Sequence, residues 1–248
     1  MNIGGGNPLS NLPEVVKNLL IINVLLFVGT IAASQANINL ADHLGLHHWS
    51  SDLFRPYQLV TYLFMHGGFM HLFSNMFGLF MFGRVLEQVW GNKRFLIYYM
   101  VTGIGAGLIQ LAVTEIRIQM LISEVDPQLY QIVMNEGLQV LQSGQNYTNE
   151  AARELNNLIN ISTVGASGAI FGILLAFGML FPNTELMLLF FPVPIKAKYF
   201  VALYGAFELY QGFANNPNDN VAHYAHLGGM LFGFIMIKYW KHNGKTFY

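Results

Sequence analysis

The sequence predicts an all-α polytopic membrane protein: six transmembrane helices, with a helical insertion in one outer loop. Three observations predict it. Hydrophobic residues make up 54% of the 248-residue chain and charged residues 10%, with a mean hydropathy of +0.42. An ordinary soluble domain carries about 25% charged residues, so most of this chain has no polar face to offer water. Apolar runs recur along it, each close to the ~20 helical residues that cross a hydrocarbon core about 30 Å thick. Lysine and arginine fall unevenly between the connecting loops, as they do when one side of a membrane is cytoplasmic. A formal charge of −1 gives no footing for nucleic acid, and the absence of cysteine excludes disulfides, thiolate metal sites and a cysteine nucleophile.

In chain order, Met1–Pro13 is polar and glycine-rich and lacks the pattern of a cleavable signal sequence. The expected division is a short cytoplasmic tail over residues 1–15 and a six-span membrane domain over 16–248, interrupted by an extramembrane insertion at about 115–162. The spans are expected at Val16–Ala36, Gln58–Phe82, Phe95–Thr114, Ser167–Phe181, Ala197–Phe213 and Ala222–Trp240. The fifth begins after Pro192 and Pro194. Within the insertion, Ile118, Leu121, Ile122, Val125 and Leu129 recur at helical spacing, and Ile132, Val133, Leu138 and Leu141 extend the pattern. Ala151, Leu155, Leu158 and Ile159 predict a second short amphipathic helix. The pair fits either the membrane surface or a hairpin packed on itself or on a partner.

An even number of spans puts both termini on one side. That side holds Lys17, Arg84, Lys93, Arg94, Lys196, Lys198, Lys238, Lys241 and Lys245; the other keeps Arg55, Arg117 and Arg153. Nine against three predicts cytoplasmic termini. The outer loops are acidic, with Asp42, Asp52, Glu115, Glu124, Asp126, Glu136, Glu150, Glu154 and Asp219.

Polar side chains inside spans are costly, so each is a functional candidate. Span two carries His66, His71 and Asn75, the last two sharing a helix face four residues apart. Span four opens on Gly165-Ala166-Ser167-Gly168, and span six opens on His223 and His226, followed by Gly228-Gly229. The topology puts all three groups in the outer half of the membrane. Serine needs a base to become a nucleophile, and histidine is the usual one. Attack on an amide carbonyl makes an oxyanion, for which Asn75, His71 and the backbone N–H of Ser167 are candidate donors, the last at the positive end of a helix dipole. Gly165, Gly168 and Gly172 on one side, with Gly229 and Gly233 on the other, predict a close approach of spans four and six.

Gly165-Ala166-Ser167-Gly168, Ala225-His226-Leu227-Gly228-Gly229 and the spacing of His66, His71 and Asn75 together resemble the rhomboid intramembrane serine proteases. The resemblance covers nearly the whole chain apart from the tail and the insertion. It implies a rhomboid-like bundle in which Ser167 is the nucleophile and His226 the general base of a dyad with no carboxylate. His71 and Asn75 match the oxyanion positions. Phe171 matches the aromatic that packs on the catalytic imidazole, often tyrosine in the family. Arg55, within Phe54-Arg55-Pro56, resembles the arginine of the first outer loop, where tryptophan often precedes it. Glu87 resembles a structural carboxylate of the helical core. The long third outer loop is the main departure.

Plainer readings stand beside these. Ser167 could simply cap span four, His226 could be satisfied by a carbonyl, and His71 with Asn75 could tie down the first outer loop. His66 reads as structural. His223 and His226 lack the intervening glutamate of a zinc-protease helix, and His43, His47 and His48 read as loop residues, so no metal or other cofactor is expected. Asn146-Tyr147-Thr148 and Asn160-Ile161-Ser162 fit the glycosylation pattern. The function expected is endoproteolysis of transmembrane substrates near the outer face of a bacterial inner membrane, with the lipid bilayer as the other partner. The rivals are a catalytically silent chaperone or scaffold on the same fold and a small transporter with a histidine proton relay. A relay needs ionisable groups through the membrane depth; Glu208 in span five is the main polar residue away from the histidine cluster. The insertion ends four residues before Ser167, a position from which it can shape access to the serine.

Overall fold

The structure is a computed structural model that describes residues 12–188, 191–214 and 221–244. Most of the N-terminal tail, Asp219 and Lys245 lie outside the described residues. Helix α1 (Glu14–Gln35) buries Val16, Leu19 and Asn23 and exposes Ile21, Ile22, Val24, Leu25, Val28 and Ile31. An outer surface of that composition is stable only against lipid. Helix α2 (Leu40–Leu44) is capped by the Asn39 side chain, which accepts from Ala41 N–H. The first outer loop then leads to the single turn α3 (Gln58–Thr61).

The second span differs from expectation at both ends. Its continuous helix begins at Phe69, after Gly67-Gly68 breaks the chain, and runs through α4 (Phe69–Gly78), a π-helical turn over Leu79–Gly83 and α5 (Arg84–Trp90). Gly91, at φ 77°, ends it. The next helix, α6 (Asn92–Ile122), continues eight residues past the expected Thr114. Ile118 and Ile122 therefore belong to this span and not to a separate surface helix.

The insertion proper begins at Ser123. Asp126 caps α7 (Pro127–Gln142) by accepting from Gln128 and Leu129 N–H, with Pro127 at the first helical position. Asn149 caps α8 (Glu150–Asn160) in the same manner. Ile118, Val125, Val133, Ala152, Leu155 and Ile159 form one buried cluster. The two helices thus make a hairpin that packs on itself and on the projecting end of α6. Asn146 and Asn160 are engaged within it: the Asn146 amide donates to Asn157, and the Asn160 amide to Asn156. Glycosylation at either asparagine would break this network.

Helix α9 (Ser167–Leu180) is followed by a two-stranded antiparallel hairpin, β1 (Glu185–Leu188) and β2 (Phe191–Lys196), paired Glu185 to Lys196. This hairpin was not expected; Pro192 and Pro194 lack ladder donors, and a two-stranded hairpin leaves every strand an edge where proline is tolerated. Helices α10 (Ala197–Ala214) and α11 (His223–His242) complete the bundle. Glu14–Gln35, Phe69–Trp90 and Asn92–Ile122 are each long and apolar enough to cross a membrane, whereas α9 is a shorter apolar helix of 14 residues. Helix α9 is the centre of the bundle, with eleven residues buried against α6, α10, α11 and the π-helical turn.

One carboxylate joins the first two spans. Pro13, which precedes α1, offers no side-chain cap. Glu87 from α5, 2% exposed, does so instead: its two oxygens accept from Val15 N–H at 2.8 Å and Val16 N–H at 2.7 Å. Charge-assisted bonds of this kind are stronger than neutral ones. Glu87→Ala should lower stability by about 2–3 kcal/mol, read as an earlier thermal unfolding transition in detergent; an unchanged transition would remove this role.

Candidate active site

Ser167 stands at the start of α9 because the chain ahead of it is held from three sides. Leu46 in the first outer loop pairs with Thr163 through both backbone bonds, 2.9 and 2.8 Å. Gly165 N–H donates to the Tyr62 carbonyl at 3.0 Å. Gly165 itself has φ 127°, and a Cβ there would lie 2.6 Å from His71 Nε2. Only glycine combines that backbone with that neighbour. Helix α9 has no side-chain cap, so Ser167 occupies the first helical position with its hydroxyl directed elsewhere.

It is directed at His226. Ser167 Oγ lies 2.7 Å from His226 Nε2. The serine is half-buried and the histidine 7% exposed. Glycines set this distance. A Cβ at Gly229 would fall on the Gly168 carbonyl, and one at Gly168 on the Ala106 side chain of α6. Further along, Gly233 comes against the Tyr98 hydroxyl and, at 3.4 Å, the Cα of Gly172, while Gly172 turns its own open side to Thr102. Gly165 takes no part in this seam because it faces His71. Phe171, one turn after the serine, stacks on the His226 ring at 4.2 Å between centroids and 9° between planes.

His71 and Asn75 project from the first turns of α4 toward the same place. Besides the 2.6 Å approach of His71 Nε2, the Asn75 Nδ2 amide lies 3.7 Å from that Gly165 position. Gly67 N–H approaches His71 Nδ1 at 3.5 Å, which makes Nδ1 the acceptor and leaves Nε2 to carry the proton. Asn75 is 5% exposed, and its Nδ2 has no hydrogen-bond partner. His66 is buried beside them, its ring edge-on to His71 at 5.1 Å, with neither ring nitrogen in a well-formed hydrogen bond.

Arg55 stands apart. It is exposed and donates from Nη1 to the Asp52 and Phe54 carbonyls at 2.9 and 2.7 Å, bracing its own turn. The organiser of that loop is Gln58, fully buried, a residue that by sequence alone marks only the start of a span. Its Oε1 accepts from His47 and Arg55 N–H, and its Nε2 donates to the His43 and Leu53 carbonyls. His48 Nε2 lies 3.1 Å from Glu115 at the loop's other edge. Burial pushes His48 below the ordinary histidine value, with Glu115 opposing it. Ser51 donates to Asn160 at 3.0 Å, so the loop, the insertion and the approach to Ser167 form one assembly.

One residue alters the expected site. The resemblance implied a dyad with no carboxylate, yet Glu208 of α10 stands against the imidazole. Its Oε2 is 2.8 Å from His226 Nδ1 and 2.6 Å from His223 Nδ1, and the residue is 3% exposed. Its helical phase could have been read: Val201, Gly205, Glu208 and Gly212 recur at helical spacing and form the inward stripe of α10. Gly205 faces Met230, and Gly212 faces Tyr224, whose hydroxyl donates to the Gly212 carbonyl. Among the described residues, Glu208, His223 and His226 are the one group of three side chains whose metal-capable atoms converge. The spacing is that of hydrogen bonds: ligands around a tetrahedral zinc, at ~2.0–2.1 Å each, stand about 3.3 Å apart.

The chain matches the family model described as a rhomboid domain over residues 53–122 and 128–242. It is 27% identical over 172 residues to the mitochondrial rhomboid protein 1 of Saccharomyces cerevisiae, covering 69% of this chain and 38% of that protein. It is 41% identical over 59 residues to the putative rhomboid protease YdcA of Bacillus subtilis, covering 24% of this chain and 29% of the relative. The chloroplastic rhomboid-like protein 11 of Arabidopsis thaliana shows 43% identity over 53 residues, 21% of this chain and 19% of the relative. The matched stretches thus span well under half the length of these relatives.

The glycine seam yields a paired test. Gly229→Ala drives a methyl into backbone and should cost about 1–3 kcal/mol. Gly205→Ala meets only the flexible Met230 thioether and should be neutral or slightly stabilising. Equal thermal transitions for the two variants would contradict this account of α9–α11 packing.

Proposed function

The chain belongs to the rhomboid family, and from that premise we propose that it is an intramembrane serine endopeptidase, cutting transmembrane segments of other proteins near the outer face of the membrane. The observation that carries the reading is the 2.7 Å contact between Ser167 Oγ and His226 Nε2. As the serine oxygen attacks a substrate carbonyl carbon, its proton passes to Nε2 and the carbonyl π pair moves onto oxygen. His226 then returns the proton to the departing amine. Water repeats the sequence on the acyl-enzyme and restores the serine.

The oxyanion formed at each stage needs donors aimed where charge develops. Asn75 Nδ2, His71 Nε2 and the Ser167 backbone N–H fill that role. The unpartnered Asn75 amide supports it, because a buried donor left unsatisfied is costly unless a ligand completes it. Phe171 holds the imidazole plane by stacking. His66 supports the ring of His71.

Helix α9, at 14 residues, is about 21 Å long, short of a hydrocarbon core of about 30 Å. A nucleophile at its outer end is therefore recessed below the membrane surface, and the substrate helix must unwind there to present a carbonyl. The distribution of lysine and arginine supports cytoplasmic termini and an outward-opening site in a bacterial inner membrane. The intact Ser167–His226 pair favours catalysis over a silent scaffold. The link from Glu208 to the outer histidines favours a protease over a proton relay, since that carboxylate belongs to the same cluster.

In proteoliposomes with a single-span model substrate, wild type should give a mapped cut within the outer part of the span and Ser167→Ala none. Cleavage by Ser167→Ala at the wild-type rate would end this proposal. Asn75→Ala should lower kcat by roughly 100- to 1000-fold with little change in KM; unaltered turnover would remove Asn75 from the oxyanion site.

A further inference from the structure

We infer that Glu208 is a positioning carboxylate for His226, so that this site operates as a Ser167–His226–Glu208 triad. The inference rests on the protease reading above and adds to it a residue that reading does not require. Three helices supply the chain of contacts: Ser167 from α9, His226 from α11 and Glu208 from α10.

The two contacts of His226 determine its tautomer. Nδ1 faces a carboxylate oxygen at 2.8 Å and Nε2 faces the serine hydroxyl at 2.7 Å. A carboxylate is an acceptor, so Nδ1 carries the hydrogen and Nε2 keeps the lone pair that the serine proton needs. Without a partner at Nδ1, the neutral ring could equally place its hydrogen on Nε2, where it cannot act as a base. When Nε2 takes the proton from Ser167, the ring, in a residue 7% exposed, becomes an imidazolium. A carboxylate already 2.8 Å away compensates that charge at the moment it appears.

Glu208 is fixed for this purpose. His223, one turn before His226, approaches the same Oε2 at 2.6 Å, so one oxygen serves both imidazole N–H groups. Among the described residues of α10, only Ala197, Val201 and Glu208 are buried. Tyr204, one turn earlier, packs against Phe171 at 4.7 Å, the ring that stacks on His226. Helix α10 therefore bears on the imidazole directly through the carboxylate and indirectly through Tyr204 and the Phe171 ring.

The test compares wild type, Ser167→Ala, Glu208→Gln and Glu208→Asp as full chains in proteoliposomes, with a single-span model substrate and thermal unfolding recorded for each. Glutamine matches glutamate in size and lacks its charge; aspartate keeps the charge and is one methylene shorter. A triad predicts that Glu208→Gln loses about 10²- to 10⁴-fold in kcat with KM nearly unchanged. It also predicts that Glu208→Asp retains more turnover than Glu208→Gln. Wild-type kcat in Glu208→Gln, with Ser167→Ala inactive, overturns the role of Glu208 and leaves the protease reading standing. The reverse ranking, with Gln more active than Asp, assigns Glu208 to packing and overturns the inference as well. If Glu208→Gln fails to fold, turnover by a folded Glu208→Asp decides: activity clearly above that of Ser167→Ala supports the triad, and activity no higher than that of Ser167→Ala contradicts it. Cleavage by Ser167→Ala would instead remove the protease reading on which the inference rests.

Discussion

Everything at the site depends on two backbones meeting without side chains between them. Gly229 of α11 lies against the carbonyl of Gly168, and any Cβ at Gly229 would overlap that oxygen. In lipid there is no hydrophobic driving force between helices, so close packing must supply the association. The seam does so, and it brings the first residues of α9 and the fourth residue of α11 within hydrogen-bonding reach. The Ser167–His226 contact follows from helix phase once the seam is closed. Helix α6 backs both helices, through Ala106 behind Gly168 and Tyr98 behind Gly233.

A second constraint acts from outside. The segment that delivers Ser167 carries only one backbone bridge, Leu46 to Thr163, and a bond from Gly165 to Tyr62. Those contacts hold only if the first outer loop is itself rigid. Gln58 supplies that rigidity with its full complement of amide hydrogen bonds inside a buried pocket. The insertion adds Ser51 to Asn160. It braces the segment that leads into Ser167 from a self-contained hairpin, and so has a mechanical connection to the site.

The sequence made some of this legible and hid the rest for physical reasons. Ser167, His226, His71 and Asn75 could be picked out because polar groups in apolar helices are costly and therefore conspicuous. The glycine seam was readable for the same kind of reason: small residues at helical spacing have one main use in a membrane. Glu208 was equally conspicuous as a polar residue, but its partners lie 15 and 18 positions away on the next helix, and sequence separation does not say which faces of two helices meet. Gln58 was invisible because its work is done with loop backbone, which has no sequence signature. The start of span two was misplaced since apolar residues run through the Gly67-Gly68 break without a change in composition. The overrun of α6 went unseen because Ile118 and Ile122 fit either a span or a surface helix. Asp126-Pro127, a helix-start signal, marked the true boundary.

The central claim is that Ser167 is made nucleophilic by His226. Treating the reconstituted protein with a fluorophosphonate and mapping the modified peptide by mass spectrometry tests it most directly, since the reagent reports nucleophilicity without requiring a substrate. The account predicts an adduct on Ser167 in the wild-type protein and its loss in His226→Ala. Labelling confined to other serines, or an adduct on Ser167 that forms as fast without His226, would contradict it.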